Sequence, residues 1–302
     1  MIKVGLIGYG KYGKKYYKNL LNDKSFQIVK ILRKSKKNLN NLFTNNKENF
    51  FKIKDINLYI IASPTDTHYE YLKKTISKKK HIIIEKPIVS EFNQFLKIKK
   101  IIKNYKKIIL INHTDLYMNA YLDFKNKLKE IGKIKSVKLI YGKIDPYAID
   151  KVNNKLNLPH FEWLPHPLAI IIDLFKDQNY KLTTSEKRIL TKKKLFQNLK
   201  IKFPNNKFDL EIIFSNNFRN KKRNLEIYGT KKNLFYKGYN KKKLSIQNSK
   251  KITFLKTQDT DPIKNLLFSF KLKYKNKKIV DDKKLILSTT KYLFKISESL
   301  KL

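Results

Sequence analysis

The chain has 302 residues, a formal net charge of +45 and no cysteine. That length fits two domains of roughly 100 to 200 residues each, and the missing thiols exclude a disulfide framework, a thiolate nucleophile and a zinc–thiolate centre. Apart from Arg33, Arg188, Arg219 and Arg223 the positive charge is lysine, scattered along the chain in short groups such as Lys78-Lys79-Lys80, so solvated helix ends and turns are expected rather than a specific nucleic-acid partner.

The N-terminus runs directly into Ile2-Lys3-Val4-Gly5-Leu6-Ile7, without the order of a signal peptide. No stretch approaches the ~20 apolar residues that span a bilayer. A soluble, cytoplasmic protein with no membrane association is expected.

Ile2 to Ile7 read as a buried strand and Lys14 to Leu21 as a helix, with Gly8-Tyr9-Gly10-Lys11-Tyr12-Gly13 as the turn between them. In a dinucleotide-binding turn the first glycine permits the bend and the second lets the backbone approach a pyrophosphate. The third lets helix and strand pack closely, and free N–H groups at the helix start bind the anion. A second strand, Phe26 to Leu32, ends in Arg33-Lys34-Ser35, where an acidic residue normally holds the ribose hydroxyls. A guanidinium there suits a 2′-phosphate, which favours NADP over NAD.

A strand from Leu58 leads into Ala62-Ser63-Pro64-Thr65-Asp66-Thr67-His68, and another from His81 ends in Glu85-Lys86-Pro87. Loops at strand C-termini are where α/β sheets bind ligands, and charge at the end of an apolar run is costly unless it is paired or used. A further strand, Ile108 to Ile111, precedes Asn112-His113-Thr114-Asp115, where His113 fits either a site-lining role or a cap or loop hydrogen bond.

In this order these motifs resemble the Gfo/Idh/MocA oxidoreductases (glucose-fructose oxidoreductase, inositol dehydrogenase, rhizopine catabolism). The resemblance implies an N-terminal doubly wound parallel sheet of the Rossmann type. Taken with the glycine turn and Arg33, it leads to expected cofactor contacts from Gly8, Tyr9, Gly10, Lys11, Tyr12, Gly13, Arg33, Ser35, Ala62, Ser63, Pro64, Thr65, His68, Glu85, Lys86 and Pro87. It makes Lys86 a contact of cofactor and substrate and the Lys86–Pro87 bond cis. Such a lysine stabilises negative charge developing on a substrate oxygen.

From Ser136 onward strand-like runs cluster at 136–142, 199–203, 210–214 and 225–228, which predicts a C-terminal α+β domain on a largely antiparallel sheet open on one face. Leu225 to Thr230 is again similar to the family, with Lys232 where a glycine is usual. Residues 283–300 have helical spacing. The domains are expected at 1–118, binding dinucleotide, and 119–302, binding substrate and forming a homo-oligomer through the open face.

Chemistry concentrates at Phe161-Glu162-Trp163-Leu164-Pro165-His166-Pro167. Pro167 suits the first position of a helix, which makes His166 the N-cap. The positive helix end then favours the neutral imidazole a general base requires. The resemblance implies a carboxylate four residues earlier, and Glu162 stands there, though Pro165 and Pro167 are expected to break a regular helix through the segment. The five histidines are too scattered for a metal site.

The expected function is hydride transfer between NADP, or else NAD, and a secondary alcohol or ketone of a sugar, cyclitol or nucleotide-linked sugar. His166, Lys86 and Glu162 would be the catalytic residues. The alternative is a catalytically inactive dinucleotide-binding sensor or scaffold of the same fold.

Overall fold

In a computed structural model of the chain, residues 1–35, 41–148, 158–191, 193–204, 207–249, 251–276 and 282–300 are described. By compactness the chain divides into two units, Met1–His113 with Ile263–Leu287, and Thr114–Pro262 with Ser288–Leu302.

The first unit begins with β1 (Ile2–Ile7), α1 (Lys11–Leu21), β2 (Phe26–Leu32), β3 (Phe43–Thr44) and α2 (Lys47–Lys52). It continues through β4 (Leu58–Ile61), α3 (His68–Ser77), β5 (His81–Glu85), α4 (Phe92–Asn104) and β6 (Ile109–Asn112). The strands form a parallel sheet in the order β3-β2-β1-β4-β5-β6. That order reverses beside β1, the switch point at which doubly wound sheets bind nucleotides.

Helices cover both faces of such a sheet, so its strands are near-continuous apolar runs. Leu58 to Ile61 and Ile82 to Ile84 are completely buried. The lysine group 78–80 follows the end of α3, where Lys79 adopts a positive φ of 54°.

The second unit contains the 3-10 turn Thr114–Tyr117, α5 (Asn119–Lys127), β7 (Ile134–Gly142), β8 (Tyr147–Ala148), α6 (Pro159–Trp163) and α7 (Pro165–Phe175). The strands β9 (Thr183–Thr191), β10 (Lys194–Lys202), β11 (Asp209–Ser215), β12 (Lys222–Gly229), β13 (Asn233–Lys237), β14 (Leu244–Gln247) and β15 (Ile252–Leu255) follow. Among the described residues they build a nine-stranded sheet, β15-β14-β13-β12-β7-β11-β10-β8, with β9 also on β10. Pairing is antiparallel throughout except between β11 and β7. The alternating burial of β10 and β11 is the signature of a sheet with one covered face.

Two further helices close the chain. The α8 helix (Pro262–Lys275) lies almost wholly in the first unit, where Phe270 packs against Phe26 and His81 with ring centroids 6.5 and 5.8 Å apart. Residues 283–287 of α9 (Lys283–Ser299) belong to the first unit and the rest to the second. No helix among the described residues is long and apolar enough to cross a membrane.

Candidate functional site

In the first unit the expected cofactor residues cluster at the C-terminal ends of β1, β2, β4 and β5. Gly8 has φ +97°, a conformation that side-chain-bearing residues rarely adopt, and a Cβ there would lie 2.5 Å from the Ala62 carbonyl oxygen. The glycine turn and the loop 62–67 therefore touch. A Cβ on Gly13 would run into the Gly8 carbonyl, whereas one on Gly10 would meet nothing within 4 Å. Helix α1 starts at Lys11 with no side chain capping it, so its first N–H groups remain available to an anion. A pyrophosphate laid against Gly10 fits this turn.

Beyond β2, the Arg33 guanidinium stacks over Phe43 at 4.7 Å, and Phe43 meets Tyr9 edge-on at 4.9 Å. Among the described residues, Arg33 Nε and Nη2 are buried without a hydrogen-bond partner. Orphaned donors of this kind are rare in folded proteins and are what a 2′-phosphate would satisfy. Ser35, next along the chain, is exposed.

The Lys86–Pro87 bond is cis, as the resemblance implied. Glu85 is 6% exposed, and its Oε1 accepts hydrogen bonds from Tyr16 Oη at 3.1 Å and Asn112 Nδ2 at 2.6 Å. Burial nevertheless raises its carboxyl to about 7, against those donors and the neighbouring Lys86 charge.

His68 is a tie between two loops. Its Nδ1 lies 2.7 Å from the Pro87 carbonyl and its Nε2 2.9 Å from that of Ser63. Burial pushes this imidazole below its ordinary value although the two carbonyls favour protonation.

His113 directly follows β6 at 1% exposure, and among the described residues neither ring nitrogen has a hydrogen-bond partner. Of the two roles open from sequence, the cap or loop hydrogen bond is not formed. Burial first, and then the Lys86 charge, push His113 down to about 3, so it is neutral at any physiological pH.

In the second unit His166 stands on α7, but the helix begins at Pro165, two residues earlier than expected, and Leu164 is the N-cap. The segment is also helical nearly throughout. Leu164 N donates to His160 O and Leu168 N to Leu164 O, which links α6 to α7. Prolines were expected to break it, yet Pro165 and Pro167 occupy the first and third positions of α7, where backbone N–H groups have no intrahelical acceptor to lose. His166 thus sits inside the first turn. Glu162, one turn earlier, is exposed.

The carboxylate beside His166 is Asp115, from the 3-10 turn after β6. Its Oδ2 lies 3.5 Å from His166 Nδ1, with the two side chains 1% and 6% exposed. Its Oδ1 lies 3.5 Å from Arg223 Nε and accepts from Tyr236 Oη at 3.3 Å. Burial raises the Asp115 carboxyl, opposed by Arg223 and Tyr236. Burial works equally against the Arg223 charge, but Asp115 and Tyr239 more than offset it.

Comparison with known proteins bears on the first unit most directly. A family described as oxidoreductases with an NAD-binding Rossmann fold, Gfo/Idh/MocA, matches residues 2–113. Over these residues the chain is similar to the Gfo/Idh/MocA oxidoreductases.

Among curated proteins, the uncharacterized oxidoreductase YdgJ of Escherichia coli is 23% identical over 185 residues, 58% of this chain and 54% of the relative. The scyllo-inositol 2-dehydrogenase (NADP+) IolW of Bacillus subtilis is 25% identical over 153 residues, 48% of this chain and 43% of the relative. The matches thus span about half the length of those relatives. Among solved structures, biliverdin reductase of Synechocystis, in complex with biliverdin and NADP+, gives a TM-score of 0.79 at 15% identity, covering 99% of this chain and 98% of that one. The UDP-N-acetylglucosamine 3-dehydrogenase GnnA of Acidithiobacillus ferrooxidans gives 0.78 at 12% identity, covering 99% and 97%. At those identities the likeness is one of fold.

The Gfo/Idh/MocA motifs of the first unit were legible in sequence, and the structure brings them to neighbouring strand ends. Asp115 and Arg223 were not singled out. The available signal for Asp115 was an ionisable residue just past a fully apolar strand, the same cue that marked Glu85 and Lys86. Among the described residues no group of three or more metal-ligating side chains is placed to hold a metal ion.

Proposed function

We propose that the chain is an NAD(P)-dependent oxidoreductase acting on a CH–OH group of a sugar, cyclitol or nucleotide-linked sugar, with NADP preferred. The observation that carries the cofactor half is the conjunction of the open approach at Gly10, the uncapped start of α1 and the two donors of Arg33 that have no partner among the described residues. The polyol half is supported by the relatives, one of which is a scyllo-inositol and one a UDP-N-acetylglucosamine dehydrogenase.

The nicotinamide, when bound, supplies the hydride acceptor for oxidation or the donor for reduction. Gly8 to Gly13 bind the pyrophosphate, Arg33 holds the 2′-phosphate, and the loop 62–65 with Glu85 and Pro87 shapes the remaining wall. During oxidation the hydroxyl proton passes to His166 while the carbinol hydrogen leaves with its electron pair, so a ketone forms as the C–H and O–H bonds break. Lys86 stabilises the oxygen while it carries negative charge. Glu162 contributes a carboxylate one turn before the base. A small-molecule substrate and self-association through the open sheet face belong to the same reading.

A panel of inositols, free sugars and nucleotide sugars, incubated with NADP+ and NAD+ and followed at the reduced-nicotinamide absorbance, tests it. Turnover of at least one polyol with NADP+ is expected. Tight NADP(H) binding with no turnover across the panel would favour a dinucleotide-binding sensor, a reading the exposure of Glu162 supports.

A further inference from the structure

We infer that Asp115 is the positioning residue of His166, holding the imidazole so that Nδ1 carries the proton and Nε2 is the nitrogen that exchanges one with substrate. The inference rests on the reading of His166 as the acid–base group.

The two oxygens of Asp115 are in different surroundings. Oδ1 faces the Arg223 guanidinium and the Tyr236 hydroxyl, at 3.5 and 3.3 Å. Among the described residues Oδ2 has no hydrogen-bond partner, and His166 Nδ1 stands 3.5 Å from it. An ionised carboxylate can only accept, so the ring nitrogen facing it is favoured as N–H. The separation is longer than a settled hydrogen bond, as acid–base pairs often are before substrate tightens them.

Charge completes the argument. A carboxylate at 1% exposure is strongly disfavoured unless compensated, and Arg223, at 13% exposure and stacked 5.2 Å from the Tyr239 ring centroid, supplies the counter-charge. With the Tyr236 hydroxyl donating to one oxygen and the Arg223 charge 3.5 Å from it, the carboxylate is oriented with the other towards α7. Segments far apart in the chain therefore meet at one carboxylate, and that carboxylate stands beside His166 Nδ1.

Asp115→Asn is close to isosteric and inverts the polarity at His166. The Tyr236 hydroxyl donates to the amide carbonyl and the Arg223 charge favours that oxygen on its side, which turns the amide NH2 towards Nδ1 and favours the opposite tautomer. The test is nitrogen-15 histidine NMR of the full chain, with His166→Ala to assign the signal, alongside steady-state kinetics on the substrate from the panel. The wild type is expected to show the Nδ1–H tautomer and Asp115→Asn the Nε2–H tautomer. Asp115→Asn should also lower kcat about 100-fold with KM within about threefold, since acid–base assistance is worth roughly 100- to 10,000-fold.

An Nε2–H tautomer in the wild type overturns the pairing, as does wild-type kcat in Asp115→Asn when His166→Ala is inactive. If Asp115→Asn does not fold, the wild-type tautomer alone decides. Full turnover in His166→Ala would instead remove the acid–base reading, and the tautomer measurement would still judge whether Asp115 orients the ring.

Discussion

The Arg33 guanidinium lies over the ring of Phe43, its Cζ 4.7 Å from the centroid, while among the described residues its Nε and Nη2 have no hydrogen-bond partner. The ring contact engages the face of the cation, and the proposed 2′-phosphate would engage its edge. Arg33→Ala is therefore expected to weaken NADP+ binding about 10- to 100-fold and to leave NAD+ binding within about twofold, because hydrogen bonds to a charged group contribute roughly 1.5–3 kcal/mol. Titration calorimetry with both cofactors measures this. Equal losses for the two would show that Arg33 does not read the 2′-phosphate.

The two glycines of the same turn should separate folding from binding. A methyl on Gly13 collides with the Gly8 carbonyl, so Gly13→Ala is expected to cost about 1–3 kcal/mol of stability. Gly10→Ala has open space around it and should melt within about 0.5 kcal/mol of the wild type, yet bind the dinucleotide far more weakly. Thermal melts and cofactor titrations on both variants provide the check; unchanged NADP+ affinity in Gly10→Ala would remove the pyrophosphate from that surface.

Lys86→Ala and His166→Ala should each abolish turnover and leave NADP+ affinity within several-fold of the wild type. Fluorescence titration of NADPH beside initial rates shows both. Wild-type rates in either variant would reject the corresponding role.

Glu85, which ends β5, and His113, which directly follows the adjacent β6, should give stability opposite pH dependences. Glu85 is raised to about 7, so the folded state binds its proton more tightly than the unfolded chain, and stability falls as pH rises from about 4.5 to 7. His113 is lowered to about 3, so the unfolded chain binds the proton more tightly, and stability rises with pH from about 3 to 6.5. Each effect amounts to several kcal/mol at 1.36 kcal/mol per unit. Urea unfolding between pH 5 and 7 should show Glu85→Gln gaining stability relative to the wild type as pH rises, and His113→Phe losing it. Parallel pH curves for variant and wild type would contradict the assignment.

Where regularity was local, it was visible in the residues. The apolar runs of β1, β4 and β5 have little alternative to a buried parallel sheet, and the spacing of Gly8, Gly10 and Gly13 specifies a turn through backbone sterics alone. The proline-rich segment was misjudged because a proline's effect depends on its place in the helix. At the first and third positions of α7 it removes no hydrogen bond, and the chain stays helical through His166. The return of α8 to the first unit was equally hidden, since its amphipathic pattern does not say which apolar surface Phe270 will meet.

The sequence by itself determined a dinucleotide-binding turn, the parallel sheet around it and the presence of Lys86 and His166, because each depends on residues near one another in the chain. Only tertiary structure decided which carboxylate stands beside His166. Antiparallel register sets Arg223 opposite Tyr141 and Tyr236 opposite Leu225, and the turn after β6 delivers Asp115 to the same place. A one-residue slip of either strand would turn these side chains to the other face of the sheet, and that choice of face depends on the covered core, which no local pattern encodes.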